Sequence, residues 1–124
     1  MNKRVKSFGY ALKGIKAVVT KEANMKIHLL IAILVILCGV FFRISVSEWL
    51  ICLVCFALVI TAEMFNTALE QLVDFVSPGK NKAAGRVKDI AAGAVLVSAV
   101  FAAIAGLIIF IPKGYDLILR LLQT

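Results

Sequence analysis

The chain has 124 residues, 62% of them hydrophobic, with two prolines and a formal net charge of +7. At that length one compact helical unit is the upper bound on complexity, and no stretch alternates with the period of a strand. In a soluble domain such a charge would suggest nucleic acid, but here the basic residues flank apolar runs. They read instead as topology determinants and as attraction for anionic headgroups or nucleotide phosphates. The fold expected is an all-α integral membrane protein.

Residues 2–21 place Val5, Phe8, Leu12, Ile15 and Val19 at alternating spacings of three and four, the pattern of an amphipathic helix. Five lysines, Lys3 to Lys21, lie mostly on its other sides, so the helix is predicted to rest in the membrane interface. A secretory signal would need a shorter basic lead and a small-residue cleavage site, and neither is present. The first span covers 24–43. Its apolar run, Ile27 to Phe42, is short for about 30 Å of hydrocarbon and borrows residues from the preceding Ala23–Lys26.

After a turn over 43–48, the second helix is expected from 46 to 76, about 46 Å at 1.5 Å per residue. It exceeds the hydrocarbon thickness, so its second half must leave the bilayer. Ser77-Pro78-Gly79 breaks it, and the loop to Arg86 is basic. The third span is predicted over 86–111, closed by Pro112, with 112–124 as a tail on the other side. Ala94, Ser98, Ala102 and Gly106 along it would allow close helix contact. Trp49 reads as an interfacial belt residue on the outer side.

Segments 1–26 and 77–88 hold eleven of the fourteen Lys and Arg, so both are expected in the cytoplasm. Cys38, Cys52 and Cys55 all fall inside apolar runs. There a thiol is a small filler without the thiolate and access that reactivity requires.

The chain departs from a generic membrane protein at Glu63–Asp74. Glu63, Asn66, Glu70 and Asp74 lie within roughly 80° of one another around a helix, forming one polar stripe. Lipid penalises such groups by a few kcal/mol each unless they face protein, water or a cation, so the stripe is a candidate site. A helix end that merely emerged into water would be polar all round, whereas Phe65, Leu69, Leu72 and Val73 occupy the rest. Glu22, Lys88 and Asp89 should meet it at the same interface.

Carboxylates at the membrane surface suit Mg²⁺, which is usually bound through one or two acids, waters and a phosphate. A lysine beside them fits a phosphate better than a bare proton relay. Together these are parts that phosphoryl transfer requires. No phosphate-binding loop of the G-x-x-x-x-G-K-[ST] type and no protein-kinase signature is present. Glu63, deepest and driest, suits a general base, and Glu70, two turns nearer water, suits a metal. The acceptor meeting Glu63 would be a membrane alcohol such as a prenol or a diacylglycerol.

The run Glu63-Met-Phe-Asn66-Thr-Ala-Leu-Glu70-Gln-Leu-Val-Asp74, followed by Gly85-Arg-Val-Lys88-Asp89, resembles the small prokaryotic diacylglycerol kinase family. The likeness extends over nearly the whole chain, including Gly9-Tyr10, Lys13-Gly14 and Glu22. Glu22-Ala-Asn-Met-Lys-Ile-His28, Val46-Ser-Glu-Trp49 and Ile108-Ile-Phe-Ile-Pro-Lys113 resemble its Gram-positive branch, whose members phosphorylate undecaprenol. The resemblance implies a homotrimer that uses ATP and Mg²⁺ in composite sites between subunits. It also implies Glu63 as base, Glu22 and Glu70 as metal ligands, and Asn66, Lys88 and Asp89 serving the phosphates. Tyr10 and the loop Gly79, Lys80 and Asn81 would line the nucleotide, with Asp74 supporting.

His28 stands where relatives that use diacylglycerol have an acid, and Ala92 where they have a serine near the lipid. The preferred activity is therefore an undecaprenol kinase, with a diacylglycerol kinase as the alternative. From another class, a small multidrug or ion transporter would also carry an intramembrane acid, though nearer the midplane of its bundle. Tyr10 could serve only as a headgroup anchor, Asp74 could pair with a loop lysine, and His28 reads as an interfacial polar residue.

Overall fold

The computed structural model describes residues 2–124 as four helices: α1 (Lys3–Lys21), α2 (Ala23–Phe42), α3 (Val46–Val76) and α4 (Lys82–Leu122). Among the described residues there is no strand. Three helices, α2, α3 and α4, are long and apolar enough to cross a membrane. Most of their large apolar side chains point outward, as expected of a chain whose solvent is lipid. The protein is a multi-pass membrane protein.

Local chemistry sets the boundaries. Asn2 caps α1 by accepting the Arg4 amide. α2 ends at Arg43, which adopts the left-handed conformation at φ 52° and lets its amide close on the carbonyls of Gly39 and Val40. Ser45 and Glu48 form a reciprocal capping box on α3, with bonds of 3.2 and 2.9 Å. Asn81 caps α4 by accepting the amides of Ala83 and Ala84.

α4 departs from expectation at both ends. It starts at Lys82, because Asn81 satisfies its first amides, and it runs through Pro112 to Leu122 instead of stopping there. A proline forfeits one intrahelical bond, a loss that membrane helices tolerate. Just beyond it, Lys113 pairs with Glu48 at 3.3 Å and ties the continuation to the start of α3. Residues 112–124 are thus mostly helix.

α3 and α4 form a long antiparallel pair, and α2 leans more lightly on α3. The more buried side of α4 includes the buried Ala91 and Ile109 and the half-buried Ser98 and Ala102, whereas Gly106 lies against open space, where an added Cβ would meet nothing within 4 Å. Ala94 is exposed, since steps of four drift by about 40° each and carry it off the edge of that face. The best packed apolar cluster sits at the 43–45 end, where Ile44, Cys52 and Ile109 gather Val35, Phe42, Trp49, Phe56 and Phe110. Trp49 is therefore packed inward and is more than a belt residue. Its ring lies over Gly39, where an added Cβ would come within 2.6 Å of it. The three cysteines are free.

Candidate active site

The opposite half of α3 carries the polar residues. Glu63 is 1% exposed, Asn66 6% and Thr67 4%, the buried polar side chains among the described residues. Glu63 Oε2, Asn66 Oδ1 and Thr67 Oγ1 have no hydrogen-bond partner. An unmet buried polar atom costs about 1–3 kcal/mol, so three within five residues mark a place built for something other than stability.

Around Glu63 and Asn66 lies a cavity of about 260 Å³, walled by Asn24, Ile27 and His28 of α2 and by Ala92, Val95, Leu96 and Ala99 of α4. Ala92 thus shares the cavity of the proposed base. His28, expected to be no more than an interfacial polar residue, points its Nε2 at Glu63 Oε2 from 3.7 Å. The titratable groups around Glu63 are His28, Glu22 and Glu70.

Asn66 donates to Glu70 Oε1 at 3.2 Å, which joins the deep part of the stripe to its shallow part. Glu70 and Glu22 are both half-buried. Along α3 the helical rise sets Glu70 about 10 Å beyond Glu63, and Asp74 about 6 Å further.

A second cavity, of about 680 Å³, lies beside the loop. It is lined by Asp74, Ser77, Gly79, Lys80, Asn81 and Lys88, with neighbours from the first turn of α4. Here Lys88 forms an ion pair with Asp74 across the α3–α4 hairpin. The side-chain oxygen of Asn81 is engaged in capping α4.

Two expected residues stand apart. Tyr10 is exposed on α1, with the Lys13 ammonium 5.7 Å from its ring, and it lines neither cavity. Asp89 is exposed and also lines neither, being turned about 100° from Lys88.

Among the described residues no three His, Cys, Asp or Glu side chains group tightly enough to enclose a metal ion. Mg²⁺ would take oxygen from one or two carboxylates and the rest from phosphate and water. The oxygens of Glu22 and Glu70, with the unpartnered Asn66 Oδ1 beside Glu70, fit such an ion.

The model of the prokaryotic diacylglycerol kinase family matches residues 9–110, from α1 almost to Pro112, and therefore covers every buried polar group just described. The chain belongs to that family. It is similar to an undecaprenol kinase of Bacillus subtilis, 38% identical over 91% of this chain and 92% of the relative. A diacylglycerol kinase of Synechocystis is 33% identical over 86% of this chain and 61% of its own length. One from Escherichia coli is 26% identical over 81% and 82%. Family membership makes the chain a lipid kinase, with ATP as the phosphate donor.

Sequence reasoning passed over Thr67 and read His28 as no more than an interfacial polar residue. Thr67 is buried next to Asn66 and lies about 20° beyond Asp74 at the edge of the stripe, so helical spacing could have found it. His28 had a signal: it lies six residues into the membrane from Glu22, about 9 Å, a depth comparable to that separating Glu63 from Glu70.

Proposed function

We propose that this kinase transfers the γ-phosphate of ATP to the hydroxyl of undecaprenol, giving undecaprenyl phosphate at the cytoplasmic face of the membrane. The observation that carries this reading is the buried Glu63 carboxylate beside a cavity that opens toward apolar surface. That cavity shares His28 and Ala99 with an apolar groove of about 480 Å³ between α2, α3 and α4, which reaches Phe110. The first isoprene units of a long prenol would lie along such a groove with the rest of the chain in lipid, and the single hydroxyl would sit at the groove's polar end. The similarity to an undecaprenol kinase over nine-tenths of both chains supports the same acceptor.

Position divides the work among the residues. Glu63 takes the hydroxyl proton as the acceptor oxygen attacks the γ-phosphorus, and ADP departs with the electrons of the broken P–O bond. Asn66 holds Glu70 in place through its amide. Lys80 and Lys88 lie where the phosphates would enter, with Gly79 leaving that side of the loop open. Asp74 holds Lys88 in position until a phosphate competes for it. Tyr10 and Asp89 would have to meet the nucleotide from a neighbouring subunit, which agrees with a homotrimer whose sites are shared. Mg²⁺, held by Glu22 and Glu70, would neutralise charge on the phosphates.

The basic segments at the α1–α2 and α3–α4 ends would face the cytoplasm, where ATP is, and the C-terminus would lie outside. A diacylglycerol kinase remains the second reading, because two of the relatives carry that name. Against it, His28 and Ala92 both line the Glu63 cavity. Purified protein with labelled ATP should phosphorylate undecaprenol in preference to diacylglycerol. The reverse preference would move the assignment to the second reading.

A further inference from the structure

Glu63 is the most deeply placed carboxylate of the chain, and a general base is useful only if its reacting oxygen points at the acceptor. Within one chain, α3 does not provide that aim. Its neighbouring polar residue, Asn66, gives its amide to Glu70 and nothing to Glu63. α4 presents only apolar residues to the cavity. The titratable groups around Glu63 are Glu70 on α3, Glu22 at the entrance to α2, and His28 within α2. An ionised carboxylate cannot donate to another. Of the three, His28 can, and it is the side chain the structure pairs with a Glu63 oxygen.

The geometry is suited to that task. His28 Nε2 is 3.7 Å from Glu63 Oε2, and the two side chains are 16% and 2% exposed. Oε2 is fully buried and makes no hydrogen bond. The separation is slightly long for a hydrogen bond, as catalytic contacts often are before substrate binds, and a small ring rotation would close it. His28 also borders both the Glu63 cavity and the apolar groove, so it stands where the lipid's hydroxyl end would arrive.

We propose that His28 is the positioning residue of the reaction: its Nε2–H holds Glu63 Oε2, leaving Oε1 to face the acceptor hydroxyl. In the step, the hydroxyl proton passes to Oε1, the O–Pγ bond forms, and the Pγ–O bond to ADP breaks with its electron pair leaving on ADP. His28 keeps its own proton throughout. This rests on Glu63 being the base, which Glu63→Gln tests separately.

Two substitutions of similar size decide it. His28→Gln keeps an N–H donor near the place of Nε2, whereas His28→Leu fills the space, enters lipid without penalty and donates nothing. With labelled ATP and undecaprenol, His28→Leu should lower kcat by about tenfold to a hundredfold, the range that a misaimed catalytic group produces. His28→Gln should stay within about threefold of the parent, and the KM for MgATP should be unchanged in both. Equal turnover by the two variants would overturn the assignment, since a packing role would not distinguish them. A loss appearing only in the KM for MgATP would overturn it too. If Glu63→Gln remained active, the base itself would be wrong; if it were inactive while both His28 variants matched the parent, only the role of His28 would fall.

Discussion

Glu63 sits in a helix whose length and apolarity suit a bilayer, 1% exposed, with one oxygen unpartnered. Removing its charge while keeping its shape should therefore leave the fold intact and stop the chemistry. Glu63→Gln is expected to lower kcat by about 10²–10⁴-fold while nucleotide binding, followed by a fluorescent ATP analogue, stays near that of the parent. Loss of binding instead would make Glu63 a metal ligand. Gly39 shows the opposite situation, a residue defined by packing alone. A methyl group there would meet the Trp49 ring at 2.6 Å and Ile44 Cδ1 at 3.1 Å, and an indole held between two helices cannot swing aside as a flexible chain would. Gly39→Ala should destabilise the protein by about 1–3 kcal/mol in a denaturation titration. Adding Trp49→Leu should recover part of that loss, and a single variant as stable as the parent would contradict the packing described.

At the scale of elements, α3 works as a graded rod. Its first half is anchored by the capping box and the Glu48–Lys113 pair, and its second half carries acids at successive depths. In the proposed reaction Glu63 would meet the lipid's end, Glu70 the region between, and Asp74 the loop. Because Glu70 lies about 10 Å from Glu63, the two should fail in different ways. Glu70→Gln is expected to raise the Mg²⁺ concentration needed for half-maximal rate by about tenfold or more, since a carboxylate contributes both charge and geometry to such an ion. An unchanged metal dependence would take Glu70 out of the site. α4 supports this arrangement from the other side, with Lys88 at its loop end and Lys113 near its far end, each paired with an acid of α3. Both pairs are partly exposed and so contribute modestly to stability. Their effect is to fix the register of the two helices.

For the whole molecule, one chain supplies the proposed base, the cavity and the loop, but it leaves Tyr10 and Asp89 outside both cavities. In the proposed homotrimer a neighbouring chain would bring those two to the nucleotide. Native mass spectrometry from a mild detergent should give an active species of three chains, and full turnover by a monomer would remove the trimer from the proposal.

Much of this was legible before any coordinates. Apolar runs of spanning length admit only helices in lipid, so residue order alone settled the class, the number of candidate spans and the ends of α3. The recurrence of Glu63, Asn66, Glu70 and Asp74 on one side of a helix likewise marked the candidate site, because helical period is a local property. What it could not reach were relations between helices. Whether Pro112 ends α4 depends on whether something beyond it is held, and the Lys113–Glu48 pair holds it. Whether Trp49 faces headgroups or Gly39 depends on how closely α2 approaches α3. Whether His28 is an idle polar residue or the neighbour of Glu63 depends on the rotation of α2 about its own axis, which three-dimensional packing sets and residue order along the chain does not.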